Sequence, residues 1–149
     1  MSDTTIDVIP FKLEHLQEVP LRACLNHRMD VMNLSVEMMK EHGFWGYTAL
    51  LDGTIVAIGV VMRCPSDPKF EGIASIFMTP AAREKPLLIV RLARQYLPLM
   101  ARSLGLVKVY ATVTEEWFKW IRVMGFRIVK TVPNPFDESE MVTLCERRF

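Results

Sequence analysis

The sequence predicts an α/β sandwich on a mixed, mostly antiparallel sheet of about seven strands flanked by about four helices. Three observations point there. Asp52-Gly53 separates two apolar, β-rich runs, the strongest short-range hairpin signal a sequence offers. Between Gly72 and Val113 the pattern reads strand, helix, strand, and two strands joined across a helix pair in parallel. After Gly125 two more strand-like runs flank the turn "PNP", which returns the chain antiparallel.

The elements follow in order. In "TTIDVIP", Ile6 and Val8 alternate with polar residues and Pro10 closes a short strand. From Phe11 the pattern turns helical, with Leu13, Leu16 and Val19 on one side. Pro20 opens a second helix that runs to His42 and stops at Gly43, with Met29, Met32, Val36 and Met39 as its apolar stripe. "GYTALLDGTIVAIGVVMRC" is the hairpin, and a loop with Pro65 and Pro68 leads into the fourth strand, "GIASIFM". "IFMTPAAREKPLLIVRLARQYL" reads as a strand, a turn and then a long helix with a proline where it should begin, ending near Gly105 and kinked at Pro98, where a backbone N–H is missing. "LVKVYATV" is the fifth strand. Thr114 caps a short helix, "EEWFKWIRVM", which ends at Gly125, and "FRIVKTV" and "EMVTLCERRF" are the last strands.

A chain of 149 residues is one domain's length, so residues 1–149 are read as a single domain. Half of its residues are hydrophobic, which excludes a disordered chain, yet no apolar run approaches the roughly 20 residues of a membrane span. "MSDTTID" lacks the basic and apolar regions of a signal peptide, and a cytoplasmic location is expected. The net charge of +1, with no aromatic platform on a basic strand, gives no case for nucleic acid. Cys24, Cys64 and Cys145 are odd in number and far apart, which reads as reduced, buried thiols. His15, His27 and His42 lack metal-ligand spacing, and the polar surroundings of His15 and His42 place those two on the surface.

The "DGTIV" hairpin, "IFMTP" as a fourth strand running into a proline turn, and "WIRVMGF" closing on Gly-Phe together resemble the GNAT superfamily, the acetyl-CoA-dependent N-acyltransferases. The likeness covers nearly the whole chain. It implies a sheet splayed between its fourth and fifth strands, with acetyl-CoA in the opening. It also implies cofactor contacts at Met78, Arg83, Lys85, Leu87, Leu88 and Ile89.

This chain departs from the family pattern Q/R-x-x-G-x-G/A. Arg83 matches its first position, but Pro86 and Leu88 occupy the two small-residue positions. Proline has no N–H for a pyrophosphate, and leucine crowds the approach. For an intact grip, Leu87 and Leu88 would have to turn into the core and leave the N–H groups of residues 87 to 89 free. Arg83, Lys85 and Arg91 are then either phosphate-attracting or simply solvated. The tyrosine that active members carry four residues before the closing glycine is Ile121 here. Tyr110 is the substitute proton donor or else a half-buried strand aromatic. Glu71 is the general base or else a loop carboxylate before Gly72.

A narrower resemblance, carried by "TIVAIGVV" and "WFKWIRVMGFRIVKTV", is to small GNAT-like internal virion proteins of short-tailed phages. It implies an eroded site, residence in a host cytoplasm or a virion, and a role through an unidentified protein partner. The contact surfaces it offers are the Met-rich second helix, "GFWGY", and the stripe Arg91, Arg94, Gln95 and Arg102. The alternative is an active acetyl-CoA-dependent N-acyltransferase with an atypical cofactor loop. Homodimer pairing through the last strand, "EMVTLCERRF", is a further expectation.

Overall fold

The computed structural model describes residues 5–18, 36–37, 39–113, 117–134 and 137–149. Expectations for Cys24, His27, Met29, Met32 and Thr114 lie outside them. Among the described residues a seven-stranded sheet has the order β1-β2-β3-β4-β5-β7-β6. Its strands are β1 (Ile6–Pro10), β2 (Phe44–Leu51), β3 (Thr54–Arg63), β4 (Glu71–Met78), β5 (Lys108–Val113), β6 (Arg127–Asn134) and β7 (Asp137–Arg148). Among the described residues the helices are α1 (His15–Glu18), α2 (Pro80–Arg83), α3 (Pro86–Leu104) and α4 (Phe118–Val123), and residues 39–42 are helical as well. Among the described strands only the β4–β5 pair is parallel, as its helical crossover requires.

The predicted turn residues fall where the backbone needs them. Asp52 and Gly53 have φ of 50° and 83°, so both lie in the left-handed region that a tight hairpin demands. Gly43 (φ 86°) donates to the Met39 carbonyl at 3.1 Å and ends the helical residues 39–42. Gly105, with φ of 69°, terminates α3, and its N–H caps the carbonyls of Ala101 and Arg102.

The turn expected after β4 holds a short helix of its own, α2, ahead of the long α3. Thr79 Oγ1 accepts from Ala82 N–H at 3.4 Å and donates to the Val56 carbonyl at 3.2 Å, which caps the short α2. Pro86 then disfavours helical geometry at the residue before it, and Lys85 sits at φ −123°, ψ 64°. Pro98 does not divide α3, which runs on to Leu104.

Each face of the sheet carries a core. Val61, Leu97, Ala101, Val109, Ile121 and Cys145 pack between the sheet and α3 and α4. Phe11, Leu16, Met39, Ile58, Val60 and Phe77 fill the opposite face. Met39 is a core residue, 1% exposed, while Arg91, Arg94, Gln95 and Arg102 form the solvated side of α3. Phe44 packs edge-on against Phe11 at 5.6 Å, and Trp45 remains exposed.

One placement corrects the sequence reading, and another locates the last strand. His15 is buried rather than on the surface: its Nδ1 accepts from Lys12 N–H at 3.2 Å and lies 2.8 Å from Thr48 Oγ1. The α1 turn lays it against β2, so its polar neighbours in sequence are not its neighbours in space. The last strand is interior, between β5 and β6, and the outer strands of the described sheet are β1 and β6.

Candidate functional site between the fourth and fifth strands

β4 stays paired with β3 from Gly72 to Met78 but meets β5 only at Glu71, Gly72 and Ile73. β5 pairs with β7 along its whole length, from Lys108 opposite Arg148 to Val113 opposite Thr143, and from Ala74 onward β4 leaves it. The sheet therefore opens into a V between its two parallel strands. Thr79 N–H bonds the Val56 carbonyl and Cys64 N–H bonds the Glu71 carbonyl, which sets the alternation along β4. That alternation turns the peptide groups of Ile76 and Met78 away from β3 and toward the gap. The side chains of Ala74, Ile76 and Met78 are half-buried against the core under α3 and α4.

At the closed end of the V the structure brings together the two candidate catalytic residues. Glu71 is the first residue of β4 rather than a loop carboxylate, because pairing with β3 and β5 extends past Gly72. Residues Glu71 and Ile73 register with Lys108 and Tyr110, so these alternate side chains share the sheet face opposite α3. Tyr110 Oη donates to Glu71 Oε1 at 3.0 Å and lies 3.3 Å from Oε2, while Lys108 Nζ donates to Tyr110 Oη at 3.1 Å. Glu71 and Tyr110 line a cavity of about 350 Å³ with Cys64, Ser66, Ile73 and Leu144. Cys64 and Cys145 are free, buried thiols as expected, and burial pushes the Cys145 thiol up.

The cluster extends across the sheet. Glu146, opposite Tyr110 on β7, accepts from Arg127 of β6 and lies 3.7 Å from Lys108 Nζ. The bond to Tyr110, with the Glu71 and Glu146 carboxylates nearby, holds the Lys108 ammonium above its ordinary range. The Arg127 hydrogen bond, aided by the charges of Arg127, Lys108 and Arg148, holds the Glu146 carboxyl below its ordinary 4.5. A depressed folded value means that the stabilisation is fully present above about pH 4.5 and is lost as pH falls through the folded value. Urea unfolding from neutral pH to well below that range is expected to show this loss in the wild type and a flatter acid limb in Glu146→Gln. Equal acid limbs would remove Glu146 from the acid response. Sequence reasoning missed Lys108, Glu146 and Arg127; the spacing of Lys108 and Tyr110 in "KVY" was the available signal, but their partners come from other strands.

The residues proposed for the cofactor are spread along the entrance to α3. Met78 ends β4, Arg83 ends α2, and Lys85 precedes α3 with its side chain exposed. Leu87 is 69% exposed and Leu88 half-buried, so neither fills the core as an intact grip would require; Ile89, 2% exposed, does. The buried side of α3 runs through Ile89, Val90, Leu97, Met100 and Ala101, and helical periodicity leaves Leu87 outside it. Leu88 N–H donates to the Lys85 carbonyl at 3.1 Å and Ile89 N–H to the same oxygen at 3.4 Å. Ile121 is buried in the core, so its place in α4 offers no proton donor.

A larger cavity, about 520 Å³, lies at the start of β6 and the end of β7 beside Gly125, Arg127, Glu146, Arg147 and Arg148. Arg147 is already engaged there, donating to the Met124 carbonyl at 2.9 Å with its guanidinium over the Phe149 ring. Among the described residues no group of histidine, cysteine and acidic side chains is arranged to hold a metal ion. No helix among them is long and apolar enough to cross a membrane.

No protein-family model matches the chain, and no curated protein sequence matches it significantly. Solved structures do. An acetyltransferase from Streptococcus agalactiae 2603 superposes with a TM-score of 0.71 at 11% identity, over 97% of this chain and 98% of that one. A GNAT superfamily phosphinothricin acetyltransferase from Sinorhizobium meliloti, in complex with acetyl-CoA, gives 0.69 at 15% identity over 97% and 89%. An aminoglycoside 6'-N-acetyltransferase complexed with coenzyme A gives 0.69 at 14% identity over 95% and 96%. At such identities the likeness speaks for architecture, and with the splayed β4–β5 pair it establishes that this chain has the fold of the GNAT acetyltransferases.

Proposed function

We propose that the protein is an acetyl-CoA-dependent N-acyltransferase that takes the thioester into the β4–β5 gap and uses Glu71 as general base. The observation that carries this reading is the hydrogen bond between Tyr110 and Glu71 in a cavity at the closed end of the gap. A carboxylate there is placed to accept a proton from an amine entering from the cavity. The amine nitrogen then attacks the thioester carbonyl, the new C–N bond forms, the C–S bond breaks, and CoA leaves as a thiolate that takes up a proton. The N–H of Ile76, turned into the gap, is a donor of the kind that stabilises the developing oxyanion. Two of the similar folds were solved with acetyl-CoA or CoA, which supports the same ligand class here.

Calorimetric titration with acetyl-CoA and, separately, CoA tests the first requirement. Micromolar saturable binding is expected, weakened by about one to two decades in Arg83→Glu, the cost of one charge-assisted contact. No heat and no thermal stabilisation at millimolar ligand would sink the reading.

The α3 entrance favours a second reading. Pro86 contributes no N–H, Leu88 N–H is bonded to Lys85, and Ile121 replaces a proton donor. On this reading the loop is a relic and the chain is a phage-type GNAT-fold factor that works through a protein partner of host or virion. The same titration separates the two, since a relic binds neither ligand while its fold is intact.

A further inference from the structure

The Tyr110 hydroxyl sits between two partners whose donor and acceptor capacities are fixed. A lysine ammonium has three hydrogens to give and nothing with which to accept. The 3.1 Å contact therefore has Lys108 donating and the Tyr110 oxygen accepting. A carboxylate only accepts, and the single phenolic hydrogen points at Glu71 Oε1, 3.0 Å away. Lys108 is itself held in place. Its side chain is 23% exposed, and its ammonium lies 3.7 Å from Glu146, whose carboxylate is 8% exposed and bonded to Arg127 on the far side. Arg127, Glu146, Lys108, Tyr110 and Glu71 thus form one chain across β6, β7, β5 and β4, the four neighbouring strands of one sheet end.

We infer that Lys108 is a positioning residue that makes the Tyr110 hydroxyl a one-way donor to Glu71. It follows that Tyr110 takes no proton from an incoming amine, and that Oε2 of Glu71, the more weakly engaged oxygen at 3.3 Å, is the one left for the acceptor's N–H. Without Lys108 the hydroxyl oxygen has no fixed donor and the hydroxyl can turn its hydrogen to water, so Glu71 loses its fixed orientation. The consequence for turnover rests on the acyltransferase reading; the direction of the hydroxyl does not.

Proton NMR of the full chain tests the direction. The Tyr110 hydroxyl resonance is identified by its loss in Tyr110→Phe and is expected to exchange slowly with water in the wild type. Lys108→Met should speed that exchange by about tenfold, as loss of one charge-assisted bond allows, and Lys108→Arg should retain the protection. With an amine substrate, Lys108→Met should lower kcat by about tenfold at unchanged KM for acetyl-CoA, and Lys108→Arg should recover most of it. An unprotected hydroxyl in the wild type overturns the inference before any variant is made. So does protection unchanged in a folded Lys108→Met or, if that variant does not fold, in Lys108→Ala. If no amine turns over in any form, the acyltransferase reading fails alone, because the exchange measurement still decides the role of Lys108.

Discussion

Glu71→Gln is expected to lower kcat for amine acetylation by roughly a hundredfold or more, the lower end of what a positioned general base contributes. The substitution keeps the shape of the side chain and an oxygen for the Tyr110 hydroxyl 3.0 Å away, so the pocket geometry is preserved while the proton acceptor is removed. Glu71 lies at the closed end of the V, and the α3 entrance follows the other end of β4. Binding of acetyl-CoA by calorimetry should therefore be unchanged. Loss of rate at constant affinity is the pattern of an interaction made in the transition state. Tyr110→Phe should cost less, about tenfold, because it leaves the carboxylate and removes only one of its hydrogen bonds. A Glu71→Gln variant with wild-type turnover would take Glu71 out of the chemistry and leave positioning within the gap as the main source of catalysis.

Gly46→Val is expected to produce a large loss of stability, about 3 kcal/mol, the upper end for overpacking a core. A Cβ at this position would stand 2.8 Å from the Gly59 carbonyl oxygen and 3.0 Å from Phe11 Cβ. The first of these is backbone in the middle of β3 and cannot move without breaking the β2–β3 ladder. The second belongs to the core opposite α3, where Phe11 holds β1 and α1 against the sheet. In a chain of this size each kcal/mol moves Tm by roughly 2–4 °C, so thermal unfolding should register a fall of about 6–12 °C. Gly53→Ala is the informative contrast. Nothing lies within 4 Å of a Cβ there, and only the φ of 83° resists it. If Gly46→Val unfolds at the wild-type temperature, the close approach of β2 to Phe11 and Gly59 is not as described.

How far the site could be read from the sequence depended on how local its causes are. Glu71 and Tyr110 were both nameable, each from its place relative to a strand. That they touch was not, since they are 39 positions apart and meet through a three-residue parallel ladder. Glu146 and Arg127 were invisible for the same reason, and Lys108 was signalled only by its place two residues before Tyr110, since each reads as an ordinary charged residue on a strand. His15 misled because a polar neighbourhood along the chain says little about a side chain that a single helical turn folds under β2. The turn before α3 was legible from the proline at the helix start; that it winds into the short α2 was not, since the Thr79 cap of α2 is itself held by the Val56 carbonyl, 23 positions away.

By itself the sequence determined what depends on near neighbours. The left-handed turn at Asp52-Gly53, the helix ends at Gly43 and Gly105, the strands with period-two alternation, and the buried side of α3 all follow from backbone sterics and side-chain periodicity. Pro86 and Leu88 at the α3 entrance were legible for that reason too. Tertiary structure alone decided where β4 leaves β5, which puts a gap in the sheet, and which charged side chains from four strands converge beside it. Those outcomes come from pairing register and the packing of two cores on opposite faces, which couple residues tens of positions apart and leave no trace in any short stretch of sequence.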